Sequence, residues 1–355
     1  MKTRTKFKKI ILVSLGLLTL IIPSTACNKT DSKSVDNSGV KENKIQIGMC
    51  FDSFIIERWL LDRDVFVSAA KGLGAEVNVQ NANGDVDKQK EQIEYFIKKK
   101  IDALVIIPID SEAISKVVLE AKNVGIKVIS YDRLIKNANA DLYISFDNEK
   151  VGRMMAEAMI AAGLPNKRVL MLCGSPNDNN VSLIKQGFSD VMNSNNIYII
   201  DIAYANDWKA ELAASYIYDN VDKVKRADAI MFGNDDLATQ GVRALSEKRL
   251  IDKVKVVGQD ADLAACQRIV EGTQLMTVFK PVDKLAKQAA EYAVKLVNEE
   301  ELKDMQTIYD GSFNVPYIAL EPIAVNKDNM DEVIIDSGFH LREDVYLNVP
   351  QNKHR

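Results

Sequence analysis

The stretch Lys127-Val-Ile-Ser-Tyr-Asp-Arg133 decides how this chain is expected to fold. Its apolar run predicts a buried strand, and Asp132 and Arg133 then lie where that strand ends. In open α/β folds, ligands bind at the carboxyl ends of parallel strands. Asp132 accepts hydrogen bonds and Arg133 only donates them, so the pair suits a small molecule with vicinal hydroxyl groups. The alternative is a solvated salt bridge at a strand end.

Short apolar runs and amphipathic helical patterns alternate along the rest of the chain. Such repeated strand–helix units predict a parallel sheet with helices on both faces. The predicted helices include residues 111–124, capped by Ser111, and residues 182–192. A chain of this length exceeds what one compact core usually holds. We therefore predict an α/β fold of two doubly wound parallel-sheet lobes.

The predicted helix that follows Pro281 is expected to return to the first lobe. The two lobes would then be residues 44–148 with about 281–314, and residues 149–280 with about 315–345. The chain would cross between them near Asp147, Phe279 and Val315. Three crossings form a hinge, and a ligand would bind between the lobes, where both sets of strand ends meet.

Two further predicted strands end in polar residues, as the strand before Asp132 does. Asn234 and Asp260 each follow an apolar run. Both are candidates to bind a ligand, and the alternative is that they cap the next helices. Asp235 and Asp236 are better cap candidates than Asn234, which favours a ligand role for Asn234.

The chain has two tryptophans, Trp59 and Trp208, and one falls in each predicted lobe. Aromatic rings cover the apolar faces of a pyranose, while charged and amide groups bind its hydroxyls. The alternative is that both tryptophans are core residues. Lys280 lies at a predicted crossing, so we expect it in the cleft rather than in solvent.

The N-terminus is typical of an export signal. Five basic residues precede a short apolar run and the small residues before Cys27, which predicts a signal peptide over residues 1–26. Cys27 would carry a lipid that anchors the protein to the outer face of the cell membrane. Residues 27–43 are polar and predict a flexible tether. The alternative is ordinary cleavage and free secretion.

Removing the five basic residues leaves 41 Lys and Arg against 50 Asp and Glu, a net charge near −9. An acidic surface argues against nucleic acid and anionic lipid head groups as partners. Cys50, Cys173 and Cys266 are scattered and form no disulfide framework, so we expect small buried hydrophobic side chains. The alternative is a single disulfide bridge between two of them.

Catalysis is not indicated. The two histidines, His340 and His354, lie near the C-terminus, and the sequence has no metal-ligand spacing, nucleophile elbow or phosphate-binding loop. No cofactor and no metal are expected. A transcriptional repressor is also excluded, because the export signal stands where a DNA-binding head would be.

Six longer motifs occur along the chain. They are Glu57-Arg-Trp59, Tyr131-Asp-Arg133, Tyr143-Ile-Ser-Phe-Asp-Asn-Glu-Lys-Val-Gly152, Gly174-Ser-Pro-Asn-Asp-Asn-Asn180, Gly258-Gln-Asp-Ala-Asp-Leu263 and Gly272-Thr-Gln-Leu-Met-Thr-Val-Phe-Lys-Pro281. Together they resemble bacterial periplasmic D-xylose-binding proteins, which belong to the ribose-like type I solute-binding superfamily. The likeness covers residues 45–341, nearly the whole mature chain.

The resemblance implies a sugar site in which both tryptophans stack on the ligand. The hydrogen-bonding residues that it implies are Arg58, Asp132, Arg133, Asp178, Asn180, Asn234, Asp260 and Lys280. Two stretches depart from the family pattern, residues 50–54 of the first loop and residues 205–207 before Trp208. We expect these departures to change the shape of the pocket mouth and the surface that contacts a partner more than the class of ligand.

The function implied by the resemblance is a lipid-anchored receptor that closes on D-xylose and presents it to a membrane ABC permease. A second hypothesis is a xylose sensor whose closed form binds the extracellular region of a membrane histidine kinase. A third is a receptor for another pentose or hexose. No surface feature of the sequence decides between transport and signalling.

Overall fold

The computed structural model describes residues 44–303 and 305–349. The predicted signal peptide, Cys27 and the predicted tether lie outside these residues. The strands are, in chain order, β1 (Gln46–Phe51), β2 (Glu76–Asn81), β3 (Ala103–Ile106), β4 (Lys127–Tyr131), β5 (Leu142–Phe146), β6 (Arg168–Cys173), β7 (Tyr198–Tyr204), β8 (Ala229–Phe232), β9 (Lys255–Gln259), β10 (Met276–Phe279), β11 (Gln306–Tyr309), β12 (Asn314–Leu320) and β13 (Ile323–Val325).

The helices mostly follow the strands one by one, as the sequence predicts. They are α1 (Arg58–Gly72), α2 (Val86–Lys99), α3 (Ser115–Asn123), α4 (Asn148–Ala161), α5 (Asn179–Ser194), α6 (Glu211–Asp219), α7 (Val221–Val224), α8 (Asp235–Glu247), α9 (Leu263–Glu271), α10 (Val282–Val297) and α11 (Arg342–Val345). A 3₁₀ turn covers Asn206–Trp208 and a π-helical turn covers Asp331–Ile335.

Two sheets organise the two lobes. The first has the strand order β11-β12-β5-β4-β3-β1-β2, and the second has the order β13-β10-β9-β8-β6-β7. All neighbours run parallel except β11 against β12 and β13 against β10. The predicted α/β fold of two parallel-sheet lobes is confirmed.

Strands β3 and β8 are apolar throughout because helices cover both faces of each sheet. Every residue of β3 and of β8 is buried. Helices α1 and α10 pack together beside the first sheet, and α4 packs on β9 and β10 of the second. Cys50, Cys173 and Cys266 are buried free thiols, in agreement with their predicted role as small hydrophobic side chains.

Helices α4 and α5 cross with their backbones in contact. A Cβ atom on Gly152 would lie 2.0 Å from the carbonyl oxygen of Ile184, and one on Gly187 would lie 2.0 Å from that of Glu149. Only glycine allows so close an approach. The crossing fixes α5, whose first turn faces the cleft between the lobes.

Strand pairing locates the three crossings between the lobes. The chain passes from β5 to α4 at Asp147 and from β10 to α10 at 280–281, as predicted. The third crossing was predicted near Val315, but β12 pairs with β5 of the first sheet and β13 pairs with β10 of the second. This crossing therefore lies at residues 321–322.

Two helix starts also differ from the prediction. Regular helix α3 begins at Ser115 rather than at Ser111, because the Asp110 carboxylate accepts hydrogen bonds from the backbone of Glu112 and Ala113 in a preceding turn. Helix α5 begins before residue 182, because Asp178 caps it by accepting a hydrogen bond from the Asn180 backbone N–H at 2.9 Å.

Candidate functional site

Two aspartates at equivalent strand ends define the site. Asp132 follows β4 and Asp260 follows β9, and both adopt left-handed backbone angles, with φ of 62° and 96°. Their backbone N–H groups donate to the carbonyls of Ile144 and Val278, both at 2.8 Å. This conformation is costly for non-glycine residues and is held by surrounding hydrogen bonds. It places both side chains in one pocket.

The pocket lies between the lobes. Nine of the ten predicted binding residues line it: Arg58, Trp59, Asp132, Arg133, Asp178, Asn180, Trp208, Asp260 and Lys280. Ile56, Ile184 and Gln259 complete the lining.

Arg58 projects from the first turn of α1 and is buried. It forms two 3.2 Å hydrogen bonds with Asp62, one turn further along the helix. Its guanidinium also lies 2.9 Å from the Asp132 carboxylate and 3.9 Å from that of Asp260. Burial alone would lower the pKa of Arg58, but these carboxylates raise it well above its ordinary value. Arg58 therefore stays charged and bridges the lobes.

Arg133 is the second buried guanidinium. It pairs with Asp52 of its own lobe and with Asp178 of the second lobe, both at 2.7 Å. Its central carbon lies 5.5 Å from the ring centre of Trp59 and 5.8 Å from that of Trp208. These distances allow cation–π attraction. Asp132 and Arg133 are both buried, so the alternative interpretation, a solvated salt bridge at a strand end, is wrong.

The carboxylate of Asp260 faces cations from two directions. Lys280 Nζ lies 3.1 Å from Asp260 Oδ1, and Lys280 is itself buried. Burial would raise the pKa of Asp132, but Arg58, Lys280 and Arg133 hold it below its ordinary value. The pocket thus presents the ionised carboxylate of Asp132 beside fixed donors.

Hydrogen bonds also join the lobes directly. The side-chain amide of Asn180 donates to the carbonyl of Asp132 at 3.0 Å and accepts from the Tyr143 hydroxyl at 3.2 Å. Near the rim, the Ser111 backbone N–H donates to the carbonyl of Asn177 at 3.1 Å. The structure therefore shows the lobes in a closed arrangement.

Several polar atoms in the pocket wall are buried without a hydrogen-bond partner in the described part of the chain. They are Asp132 Oδ2, Asp260 Oδ1, Gln259 Oε1 and the indole nitrogens of Trp59 and Trp208. The two carboxylate oxygens form ion pairs with Arg58 and Lys280, at 2.9 and 3.1 Å. Buried polar groups are normally satisfied, so the oxygen of Gln259 and the two indole nitrogens point to a polar ligand.

Both tryptophans serve the core as well as the pocket. Trp59 is 1% exposed and packs edge-on against Phe51, with ring centres 6.4 Å apart. Trp208 is 8% exposed. The interpretation of the tryptophans as core residues is therefore compatible with their interpretation as residues that cover the faces of a ligand.

Asn234 is the predicted residue that does not line the pocket. Its side-chain oxygen accepts from the Leu237 backbone N–H at 2.9 Å and caps α8. The preference for Asp235 as the cap was wrong. Asp235 is instead fully buried, accepts hydrogen bonds from Thr277 and Gln274, and has a pKa raised to about 7, chiefly by burial.

The sequence analysis did not identify three residues that line or support the site. Gln259 ends β9 directly before Asp260, and its amide donates to the Gly233 carbonyl at 2.5 Å. Asp62 lies four residues after Arg58, a helical spacing that could have revealed the pair. Asp52 is 81 residues from Arg133 and had no such signal.

Within residues 44–303 and 305–349, no group of three or more His, Cys, Asp or Glu side chains is arranged to hold a metal ion. In the same part of the chain, no helix combines the length and apolar character needed to span a membrane.

Known proteins show a clear likeness to this chain. The D-xylose-binding periplasmic protein of Haemophilus influenzae is 43% identical over 330 residues, which cover 92% of this chain and 99% of that protein. The protein of the same name from Escherichia coli is 42% identical over 314 residues, covering 87% and 95%. The resemblance inferred from the motifs is confirmed, and these names support binding rather than catalysis.

Solved structures agree with this likeness. A carbohydrate transporter solute binding protein from Chloroflexus aurantiacus, in complex with D-glucose, has a TM-score of 0.77 at 27% identity and covers 84% of this chain and 98% of that chain. A solute binding protein from Clostridium phytofermentans with bound β-D-glucose has a TM-score of 0.75 at 26% identity, covering 84% and 99%. The family model described as "Periplasmic binding protein domain" matches residues 47–301, and this chain therefore belongs to the periplasmic binding protein family.

Proposed function

We propose that this protein is an extracytoplasmic receptor that binds D-xylose between its lobes and presents it to a membrane ABC transporter. The observation that carries the proposal is the pocket between the lobes, where Asp132 and Asp260 pair with Arg58 and Lys280 and where the oxygen of Gln259 and both indole nitrogens have no hydrogen-bond partner among the described residues. We assign sugar binding to the nine predicted residues that line this pocket.

The polar lining matches the hydrogen-bonding needs of a sugar. Each hydroxyl both donates and accepts, so a carboxylate next to a guanidinium or ammonium group satisfies it completely. The free oxygen of Gln259 adds an acceptor, and the two indole N–H groups add donors. The rings of Trp59 and Trp208 offer apolar surface for the C–H faces of a pyranose.

Xylose is favoured over other sugars because the relatives that are 43% and 42% identical are named as D-xylose-binding proteins. Micromolar affinity requires about −8 kcal/mol, or roughly −0.8 kcal/mol for each of the ten heavy atoms of xylose. The best small ligands reach about −1.5 per atom, so such binding demands nearly complete burial.

Burial of this kind requires both lobes. Arg58 and Arg133 come from the first lobe, whereas Asp178, Asn180 and Asp260 come from the second. Their contacts with one sugar exist together only when the lobes are closed. Ligand binding therefore shifts the population toward the closed form, and hinge motion at the three crossings is the expected route.

Titration calorimetry with the purified protein tests the ligand. Heat with xylose, and none with glucose, ribose or arabinose at the same concentration, is expected. Heat with another sugar in place of xylose would discard the xylose assignment and keep the binding site. No heat with any of the four would reject the proposed function.

The location and output complete the proposal. Cys27 would carry the lipid anchor, so the protein should sediment with membranes and the Cys27→Ala variant should not. Transport is our principal proposal because the structural relative at 27% identity is titled a carbohydrate transporter solute binding protein. Capture on the xylose-loaded receptor, followed by identification of the retained membrane proteins, tests this. A permease supports transport, whereas a histidine kinase in its place would establish the sensor alternative.

A further inference from the structure

The pocket wall formed by Trp208 depends on a glycine at the end of β6. A Cβ atom on Gly174 would lie 2.1, 2.3 and 2.4 Å from three carbons of the six-membered ring of Trp208. Gly174 itself does not line the pocket. We propose that Gly174 is a positioning residue for sugar binding, which acts by leaving the space that the Trp208 indole occupies; this inference rests on the proposed function.

The backbone that carries Trp208 holds the indole against this glycine. Asp207 and Trp208 both have left-handed backbone angles, with φ of 55° and 58°. The Trp208 N–H donates to the Ala205 carbonyl at 3.0 Å, and the Ala205 N–H donates to the carbonyl of Cys173 at 2.9 Å. The turn is therefore tied to the residue directly before Gly174, and its unusual angles require such support.

Movement of the backbone at position 174 toward β8 is limited. Gly233, at the end of neighbouring β8, packs so closely that a Cβ atom there would lie 2.5 Å from the Gly174 nitrogen. The indole would have to move instead. Because Trp208 is buried and contributes to the pocket wall, any such movement alters the sugar site.

The experiment compares two Gly→Ala variants with similar clashes. Gly174→Ala collides with Trp208, and Gly241→Ala places its Cβ atom 2.1 Å from the ring of Phe232, which does not line the pocket. Both should lower the unfolding midpoint. We expect Gly174→Ala to weaken xylose binding at least tenfold and Gly241→Ala to change it less than threefold. Equal affinity losses in the two variants would overturn the inference.

A rescue variant tests whether Gly174 acts through Trp208. The phenyl ring in Trp208→Phe is shorter than the indole and leaves room at position 174. Adding Gly174→Ala to Trp208→Phe should therefore change the affinity less than threefold, whereas the same substitution in the wild type costs at least tenfold. The same tenfold loss in both backgrounds would overturn the inference, because independent effects add.

Fluorescence quenching gives a readout that does not depend on sugar binding. The chain has two tryptophans, so displacement of Trp208 should make a larger fraction of the fluorescence accessible to acrylamide in Gly174→Ala than in Gly241→Ala. Unchanged accessibility would contradict the inference. If the wild type binds no sugar, the proposed function fails, while this measurement still decides whether Gly174 positions Trp208.

Discussion

The two lobes contribute to the pocket in different ways. The first lobe supplies both guanidinium groups, and each has a carboxylate of its own lobe, Asp62 for Arg58 and Asp52 for Arg133. The second lobe supplies Asp260, which pairs with Lys280 at 3.1 Å but whose Oδ1 atom, like Asp132 Oδ2, makes no hydrogen bond in the described part of the chain. The two guanidinium groups are therefore preorganised within the first lobe, whereas the carboxylate of Asp260 completes its hydrogen bonds with a ligand. Preorganisation reduces the entropy that binding must overcome.

The largest effect is expected from breaking the preorganised guanidinium side of the site. Asp62→Ala removes two hydrogen bonds to Arg58 and the acceptor of the Tyr131 hydroxyl. Loss of one partner of a buried ion pair typically costs about 3 to 5 kcal/mol. Urea unfolding should show a loss of this size. The control is Asp64→Ala, whose pair with Arg63 is exposed, and equal midpoints for the two variants would contradict the comparison.

Breaking the Asp260 side of the site should affect both binding and folding. Asp260→Ala removes an acceptor that the ligand is expected to use, and hydrogen bonds to charged groups contribute about 1.5 to 3 kcal/mol. Calorimetry should therefore show a loss of xylose affinity of roughly 10- to 150-fold, and the unfolding midpoint should fall because buried Lys280 loses its partner. Unchanged affinity would remove Asp260 from the site, and an unchanged midpoint would show that Lys280 does not depend on this pair.

Two buried aspartates, Asp132 of the first lobe and Asp235 of the second, should respond to pH in opposite ways. The pKa of Asp132 is lowered, because nearby cations outweigh burial, so its contribution to stability is present above its ordinary pKa and lost in acid. The pKa of Asp235 is raised from 3.8 to about 7, chiefly by burial, so its contribution is present below pH 4 and lost as the pH rises toward 7.

Asp235→Asn tests this second sign. Between about pH 4 and 7, Asp235 ionises in the unfolded chain but stays protonated in the folded one. The unfolding free energy of the wild type therefore falls by up to about 1.4 kcal/mol per pH unit. The variant lacks this group, so the difference in stability between wild type and variant should narrow or reverse as the pH rises. Urea unfolding at pH 5, 6 and 7 measures it. A difference that is constant across this range would show that Asp235 does not titrate there.

The sequence predicted best those features that depend on neighbouring residues in the chain. The strand ends at Asp132 and Asp260 could be predicted because apolar runs identify buried strands and the polar residues after them. The third crossing could not, because β12 and β13 look alike as extended segments and only their pairing assigns them to different sheets. Likewise, the Asp52–Arg133 pair depends on the fold, which joins residues distant in the chain.

Asn234 shows a different limit and carries the smallest predicted effect. Both a ligand residue and a helix cap are polar and follow a strand, so the local pattern cannot separate them. The structure shows the cap through the 2.9 Å bond to the Leu237 N–H. Asn234→Ala should therefore lower the unfolding free energy by about 1 kcal/mol and change xylose affinity less than twofold. Asn234→Asp, which can still cap, should restore the stability, and an affinity loss shared by both variants would return Asn234 to the sugar site.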